Sequence, residues 1–242
     1  MNLRGKVVII TGASSGVGKA TAVEFAKHGA KIALAARRID RLEEIKNYIL
    51  NFNTNCIAVK TDVSVESDVK NLFEETEKAF GQIDVVVNNA GKGLRKEIQD
   101  ISFEEWNSLM ETNVNSVFLC TREAVRRMNH GGHILTVSSV AGLYGVPPYS
   151  AYCASKHAVT GFNRVMFWEL KKHKIKVSTI YPARIATEFF NDYKEKPKRH
   201  QMLMPEDIGR YIYALATRSP IKILKAAGSN FLKRVLTFLT PH

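Results

Sequence analysis

Along the chain, short apolar runs rich in β-branched residues alternate with stretches of helical periodicity. Lys6 to Thr11, Lys31 to Ala35, Asn55 to Lys60, Ile83 to Asn88, His133 to Ser138 and Lys176 to Tyr181 read as strands. Between them Gly18 to His28, Asp40 to about Leu50, Glu66 to Phe80, Glu104 to Asn129 and Ala151 to Lys172 read as helices. The strand runs are apolar throughout instead of alternating, which predicts a sheet covered on both faces. Strand–helix alternation with short connections predicts right-handed βαβ crossovers. The fold class expected is therefore α/β, a doubly wound parallel sheet with helices on both faces. Punctuation supports the boundaries. Asp40 with Glu43 makes a capping-box-like helix start, and Gly29 and Gly81 stand where C′ residues end helices. No repeat, linker or low-complexity tract divides the chain, so residues 1–242 are expected to form one domain.

Composition narrows the class further. With 242 residues, 45% hydrophobic and 24% charged, the chain is an ordinary globular sequence. No apolar run approaches the roughly 18 residues of a membrane span. The early run Val7-Val8-Ile9-Ile10 is too short for a signal-peptide core and leads into a glycine loop, not a cleavage site. Cys56, Cys120 and Cys153 are an odd count without metal-type spacing, as expected of buried, reduced thiols in a cytoplasmic protein. The net charge of +12 is spread out, with concentrations near Arg37-Arg38, Lys171 to Lys176 and Lys194 to Arg199. No nucleic-acid module motif accompanies it, so nucleic acid is not the expected partner. Solubility and attraction of anionic small molecules are.

The first strand ends in Thr11-Gly12-Ala13-Ser14-Ser15-Gly16-Val17-Gly18, and a helix follows. Such a loop permits a tight turn and close backbone approach to a pyrophosphate, which the helix N-terminus then receives. Further on come Asn88-Asn89-Ala90-Gly91 after the fourth strand, Asn113 in the next helical region, and Ser138-Ser139 ending the fifth strand. Tyr152-Cys153-Ala154-Ser155-Lys156 begins thirteen residues after Ser139, and Tyr181-Pro182 ends the sixth strand, with Thr187 beyond. In order and spacing this set resembles the short-chain dehydrogenase/reductase family over roughly residues 5–190. The resemblance implies a single-domain Rossmann-type fold and hydride exchange with a nicotinamide cofactor.

Tyr152 and Lys156 are four apart and share one face of a helix. A free phenol has a pKa near 10, so a base working near neutrality needs lowering by about three units, on the order of 4 kcal/mol. A nearby ammonium and the positive ring of an oxidised cofactor both act in that direction. Tyr149 and Tyr144 are rival phenols, but neither has a lysine four residues later. By the resemblance, Tyr152 exchanges the proton with the substrate oxygen and Lys156 also binds the nicotinamide ribose. Asn113 is implied to hold a water in a relay toward the lysine, and Ser139 donates a hydrogen bond to the substrate oxygen. The expected catalytic set is Asn113, Ser139, Tyr152 and Lys156. The expected cofactor contacts are Gly12, Ser14, Ser15, Gly16, Val17, Gly18, Asn89, Ala90, Gly91, Tyr152, Lys156, Pro182, Ile185 and Thr187, with Asp62 and Val63 flanking adenine.

An NAD-selective site presents an acid about 20 residues past the loop. Strand two ends Ala35-Ala36-Arg37-Arg38, with Ala36 where that acid would stand. Asp40 suits a helix N-cap better than a ribose ligand. Guanidinium pairs well with a 2′-phosphate. NADP(H) is therefore the expected cofactor, with Arg37 the first phosphate partner and Arg38 the second.

Two regions depart from the family pattern. Pro182-Ala183 replaces the usual Pro-Gly, placing a Cβ beside the nicotinamide position. Residues 184–205 are expected to form the substrate loop, with Phe189, Phe190, Tyr193, Met202, Leu203 and Met204 toward an apolar pocket. In that loop Lys194, Lys196, Lys198 and Arg199 face solvent or an anionic substrate. In the divergent segment 221–242, Ile221 to Leu224 reads as a short strand and Asn230 to Leu239 as a basic amphipathic helix. That helix docks on its own domain or a dimer partner, or else makes peripheral membrane contact. The resemblance implies a homodimer through the helices carrying Asn113 and Tyr152, and the altered C-terminus weighs against a tetramer. The function expected is an NADP(H)-dependent oxidoreductase that interconverts a carbonyl compound and its secondary or primary alcohol. The alternatives are a cofactor-binding sensor and a membrane-surface reductase of lipid-like substrates; a lysine-paired phenol argues for turnover.

Overall fold

The computed structural model describes residues 2–187, 202–217 and, for the backbone, 235–238. One sheet contains β1 (Val7–Thr11), β2 (Lys31–Ala36), β3 (Cys56–Lys60), β4 (Val85–Asn88), β5 (Gly132–Val137), β6 (Ile175–Pro182) and β7 (Val235–Phe238). Its order is β3-β2-β1-β4-β5-β6-β7; the first six strands are parallel, and β7 pairs antiparallel with β6. The helices are α1 (Gly16–Lys27), α2 (Ile39–Leu50), α3 (Glu66–Phe80), α4 (Phe103–Met110), α5 (Ser116–Arg127), α6 (Ser150–Glu169) and α7 (Pro205–Thr217). The doubly wound parallel sheet expected from the pattern is present.

Alternate residues of each strand feed opposite faces. Val8, Ile10, Ile32, Leu34, Val85 and Val87 pack with Phe25 of α1, Leu42 and Ile45 of α2 and Ile212 of α7. Val7, Ile9, Val86 and Ile134 pack with Leu72 and Phe73 of α3 and with Leu119, Cys120 and Ala124 of α5. With both faces covered, apolar residues at successive positions of the central strands are buried, which is why the runs do not alternate. Strand order reverses between β1 and β4. At such a switch point the loops part and leave a crevice above the carboxyl ends of the strands.

Several boundaries differ from the sequence expectation. Helix α2 begins at Ile39 with Arg38 at its N-cap, so Asp40 is not a cap; its charge lies in the first turn, where it favours the helix dipole. The true capping box is Ser102 with Glu105 at the start of α4. Between α4 and α5, Glu111–Asn115 form a π turn that interrupts the helical region expected from Glu104 to Asn129. Helix α7 is an additional element, signalled by Pro205 at its first position, Glu206 and Asp207 in its first turn, and Ile208, Tyr211, Ile212 and Leu215 on one stripe. Val235–Phe238 is a strand, which overturns the amphipathic helix expected over Asn230 to Leu239: the open edge of β6 takes a backbone partner from Thr179 to Pro182. The rest of that expected helix, and the strand expected over Ile221 to Leu224, lie outside the described residues.

The lysine concentration near 171–176 has a local explanation. Lys171, Lys172 and His173 occupy the 3-10 turn that ends α6, where cations oppose the negative end of the helix. No helix among the described residues is long and apolar enough to cross a membrane.

Candidate active site

At the switch point β1 ends in Thr11, and the chain turns through Gly12 (φ +65°) and Gly16 (φ +54°). A Cβ on Gly12 would lie 2.8 Å from Cα of Ala90, and one on Gly18 2.3 Å from the Gly12 oxygen. Backbone surrounds both positions, so neither tolerates a side chain. The Thr11 hydroxyl accepts from the amides of Asn89 (3.0 Å) and Ala90 (3.1 Å), while Asn89 Nδ2 donates to the Thr11 oxygen at 2.9 Å. The Asn-Asn-Ala-Gly segment is thereby fastened beside the glycine turn. Helix α1 opens at Ser15 with no side-chain cap and no acid in its first turn. An N-terminus without a side-chain cap or an acid suits an anion such as a dinucleotide phosphate.

Thr187 reaches the same loop; a Cβ on Gly16 would meet its Cγ2 at 3.0 Å. Its segment is pinned by an isolated bridge of Ile185 with Leu203, in which the Ala186 amide donates to the Leu203 oxygen at 2.8 Å. Leu203 is 6% exposed and packs in the core beneath α7, not in an apolar pocket, because the bridge turns it inward. Phe189, Phe190, Tyr193, Lys194, Lys196, Lys198 and Arg199 lie outside the described residues. Outside glycine only Asn53 and Lys174 have positive φ among the described residues, so Ala183 sits where an L-residue is unstrained.

The two arginines after β2 part company. The Arg38 guanidinium donates to Ser14 Oγ (Nη2 at 2.9 Å, Nε at 3.2 Å) and to Ser15 Oγ (3.0 Å), placing its charge on the glycine loop. Arg37 lies toward Asp62 and Lys92. Burial alone would raise the Asp62 carboxyl, but bonds from the Ser64 hydroxyl and amide, then the charges of Arg37 and Lys92, hold it below its ordinary value. Val63 is buried beside it.

Beyond the loop, four side chains from different elements converge. Ser139, just past β5, and Tyr152, in the first turn of α6, are hydrogen-bonded through their side chains. Burial pushes the Tyr152 phenol up to about 12, opposed by the Ser139 bond and reinforced by Cys153 and Tyr149. One turn on, Lys156 is 6% exposed; its Nζ donates to the Val137 oxygen at 3.2 Å and lies 5.8 Å from the centre of the Tyr152 ring. Burial brings this ammonium down to about 8. Asn113, 1% exposed, is held in the π turn. Its oxygen accepts from the Lys92 amide (2.8 Å), and Nδ2 donates to the Lys92 oxygen (2.9 Å) and to Ser155 Oγ (3.0 Å). A Cβ on Gly91 would lie 3.2 Å from that Asn113 oxygen and 3.6 Å from Lys156 Nζ, so the Asn-Asn-Ala-Gly segment meets this cluster at its last residue.

The residues selected from the sequence are thus brought together above the carboxyl ends of the central strands, from Gly12 to Gly18 through Asn89 to Gly91 and on to Asn113, Ser139, Tyr152 and Lys156. Thr11, the first residue of the glycine-loop pattern, also fastens the Asn-Asn-Ala-Gly segment, whereas Lys92 and Ser155, which hold Asn113, carried no signal of their own. The burial of Lys156 and the clash above Gly18 are what a built site, as opposed to a solvated helix pair, would display.

A family model described as short chain dehydrogenase matches residues 6–198. A 3beta-hydroxysteroid dehydrogenase of Mediterraneibacter gnavus is 38% identical over 184 residues, covering 75% of this chain and 67% of that protein. The solved 3-ketoacyl-(acyl-carrier-protein) reductase from Brucella melitensis, complexed with NADH, superposes with a TM-score of 0.83 at 29% identity, covering 92% of this chain and 94% of that one. An alcohol dehydrogenase from the archaeon Thermococcus sibiricus, complexed with 5-hydroxy-NADP, also gives 0.83 at 29% identity, covering 90% of this chain and 92% of its own.

Proposed function

Because the chain belongs to the short-chain dehydrogenase family, oxidoreductases that act on alcohol and carbonyl groups with a nicotinamide cofactor, we propose that it is an NADP(H)-dependent carbonyl reductase with Tyr152 as general acid/base. The observation that carries this reading is the Tyr152 phenol, bonded to Ser139 and standing over a buried Lys156. The glycine turn fits the cofactor: two of its glycines admit no Cβ, and the α1 amides beside it are uncapped. Gly12 to Gly18, Asn89 to Gly91, Asp62, Val63, Pro182, Ile185 and Thr187 would hold the dinucleotide, with Lys156 on the nicotinamide ribose.

When bound, the nicotinamide supplies hydride to a carbonyl carbon, or accepts it from an alcohol. The protein's task is the proton. A phenol raised to about 12 is protonated across the neutral range and is ready to protonate an alkoxide-like oxygen. Ser139 holds that oxygen beside the phenol by a hydrogen bond. Lys156, mostly charged at neutral pH with its value near 8, stabilises the phenolate left behind. In the oxidative direction the phenol must first give up its proton, which the Lys156 ammonium favours, before it can receive the one from the alcohol.

NADP(H) is favoured over NAD(H) because Ala36 offers no carboxylate to a ribose 2′-hydroxyl, while Arg38 is already fixed on Ser14 and Ser15. We rank Arg38 as the first 2′-phosphate partner and Arg37 as the second, the reverse of the sequence expectation. Relatives bind either cofactor, so the preference rests on these side chains. Residues 1–242 act as one dinucleotide-binding and catalytic unit. Exposed Phe118 of α5 with Val165 and Trp168 of α6 supports a homodimer through those helices, and buried free Cys56, Cys120 and Cys153 suit a reducing cytoplasm. Oxidation of NADPH against ketones, aldehydes and diketones, compared with NADH, tests the reading; a preference for NADH refutes the cofactor assignment.

A further inference from the structure

We infer that Ser155 is a positioning residue that locks Asn113 to the turn of α6 carrying Tyr152 and Lys156. The inference rests on the proposed role of Tyr152 and on the relay role that the family resemblance implies for Asn113. Ser155 is fully buried, one residue before Lys156, and its hydroxyl has two assignments at once. It donates to the Tyr152 carbonyl oxygen at 2.8 Å and accepts from Asn113 Nδ2 at 3.0 Å. The other Asn113 contacts run to the backbone of Lys92, whose amide and carbonyl grip the carboxamide at 2.8 and 2.9 Å. Both Nδ2 protons are therefore engaged, one by the β4 loop and one by α6.

The consequence is geometric. Asn113 stands in a π turn, a bulge between the α-helices on either side. Lys92 fixes the carboxamide relative to Gly91, and only the Ser155 hydroxyl, among its described partners, fixes it relative to α6. Removing that hydroxyl leaves a buried N–H without a partner. It also uncouples the π turn from the helix bearing the phenol and ammonium. Ser155 touches no reacting atom and binds no cofactor phosphate in this scheme. Its effect passes through Asn113 to the proton steps, leaving dinucleotide affinity alone.

A double-mutant cycle separates this role from packing. Ser155→Ala, Asn113→Ala and the double variant are compared with the active wild type for kcat, for KM, for NADPH binding by fluorescence titration, and for the pH profile of kcat. Ser155→Ala is expected to lower kcat by about tenfold, a coupling within the usual range for residues in contact, with the NADPH dissociation constant unchanged within about twofold. The alkaline limb of its profile should shift, and the double variant should lose no more than Asn113→Ala alone. A kcat within twofold of wild type, or losses that multiply in the double variant, overturns the inference. If Ser155→Ala does not fold, the same cycle with the near-isosteric Ser155→Cys decides, with a loss of about threefold expected and no loss overturning it. Failure of the underlying reading looks different: the wild type itself then consumes no NADPH.

Discussion

Replacing Arg38 with alanine should separate the two nicotinamide cofactors. Its guanidinium is fixed by three contacts of 2.9 to 3.2 Å to Ser14 and Ser15, so it is organised before any phosphate arrives. A charge-assisted hydrogen bond is worth about 1.5–3 kcal/mol. Arg38 is exposed, so solvent screening favours the lower end. Arg38→Ala should therefore reduce kcat/KM for NADPH by about tenfold, and at most about a hundredfold, converting 1.36 kcal/mol per factor of ten. The value for NADH should move by less than about twofold, since no 2′-phosphate is there to lose. Arg37→Ala, on a residue turned toward Asp62 and Lys92, should cost NADPH less. Steady-state kinetics with each cofactor at saturating carbonyl substrate give both numbers. Equal losses for NADPH and NADH would show that Arg38 only braces the loop, and no loss would show that the phosphate lies elsewhere.

Other outcomes follow from the same geometry. Lys156 falls from 10.5 to about 8 on burial, so the folded chain releases this proton earlier than the unfolded one, and stability should rise with pH between those values. Lys156→Met should then raise the melting temperature near pH 7, reflecting a burial cost on the order of 3 kcal/mol, while abolishing turnover; a lower melting temperature would contradict the burial argument. In the wild type, kcat for reduction should fall above about pH 8 as the ammonium is lost, and a flat profile to pH 10 would exclude that role. Gly18→Ala places a Cβ 2.3 Å from the Gly12 oxygen, so it should cost at least about 1–3 kcal/mol in urea unfolding and weaken NADPH binding together. An unchanged dissociation constant would detach the glycine turn from the cofactor.

The fold was legible because its signal is local. Unbroken runs such as Val7 to Ile10 and Val85 to Val87 could only be buried on both sides, and glycine ended helices where left-handed backbone was needed. The motif residues were legible through the family resemblance of the ordered set: Tyr152 and Lys156 share a turn, but only together with the glycine loop, Asn113 and Ser139 do they point to catalysis. What escaped depends on contacts between distant segments. Arg37 and Arg38 follow the end of β2, so strand alternation does not say which one turns back to Ser14. Asp40 has the composition of a cap, but the helix starts one residue earlier, at Ile39. Leu236 and its neighbours have helical spacing, yet the exposed edge of β6 recruits Val235 to Phe238 as a strand. Ser155 and the backbone of Lys92 matter only because a π turn delivers Asn113 between them.

The most direct test of hydride transfer with Tyr152 as proton donor is NADPH consumption by wild type and Tyr152→Phe across one panel of ketones, aldehydes and diketones. Phenylalanine keeps the ring over Lys156 and removes only the hydroxyl bonded to Ser139. The wild type should oxidise NADPH, and the variant should lose nearly all of that activity while keeping NADPH affinity within about threefold of wild type. A variant that keeps more than about a tenth of the wild-type rate with intact binding would contradict the assignment of Tyr152.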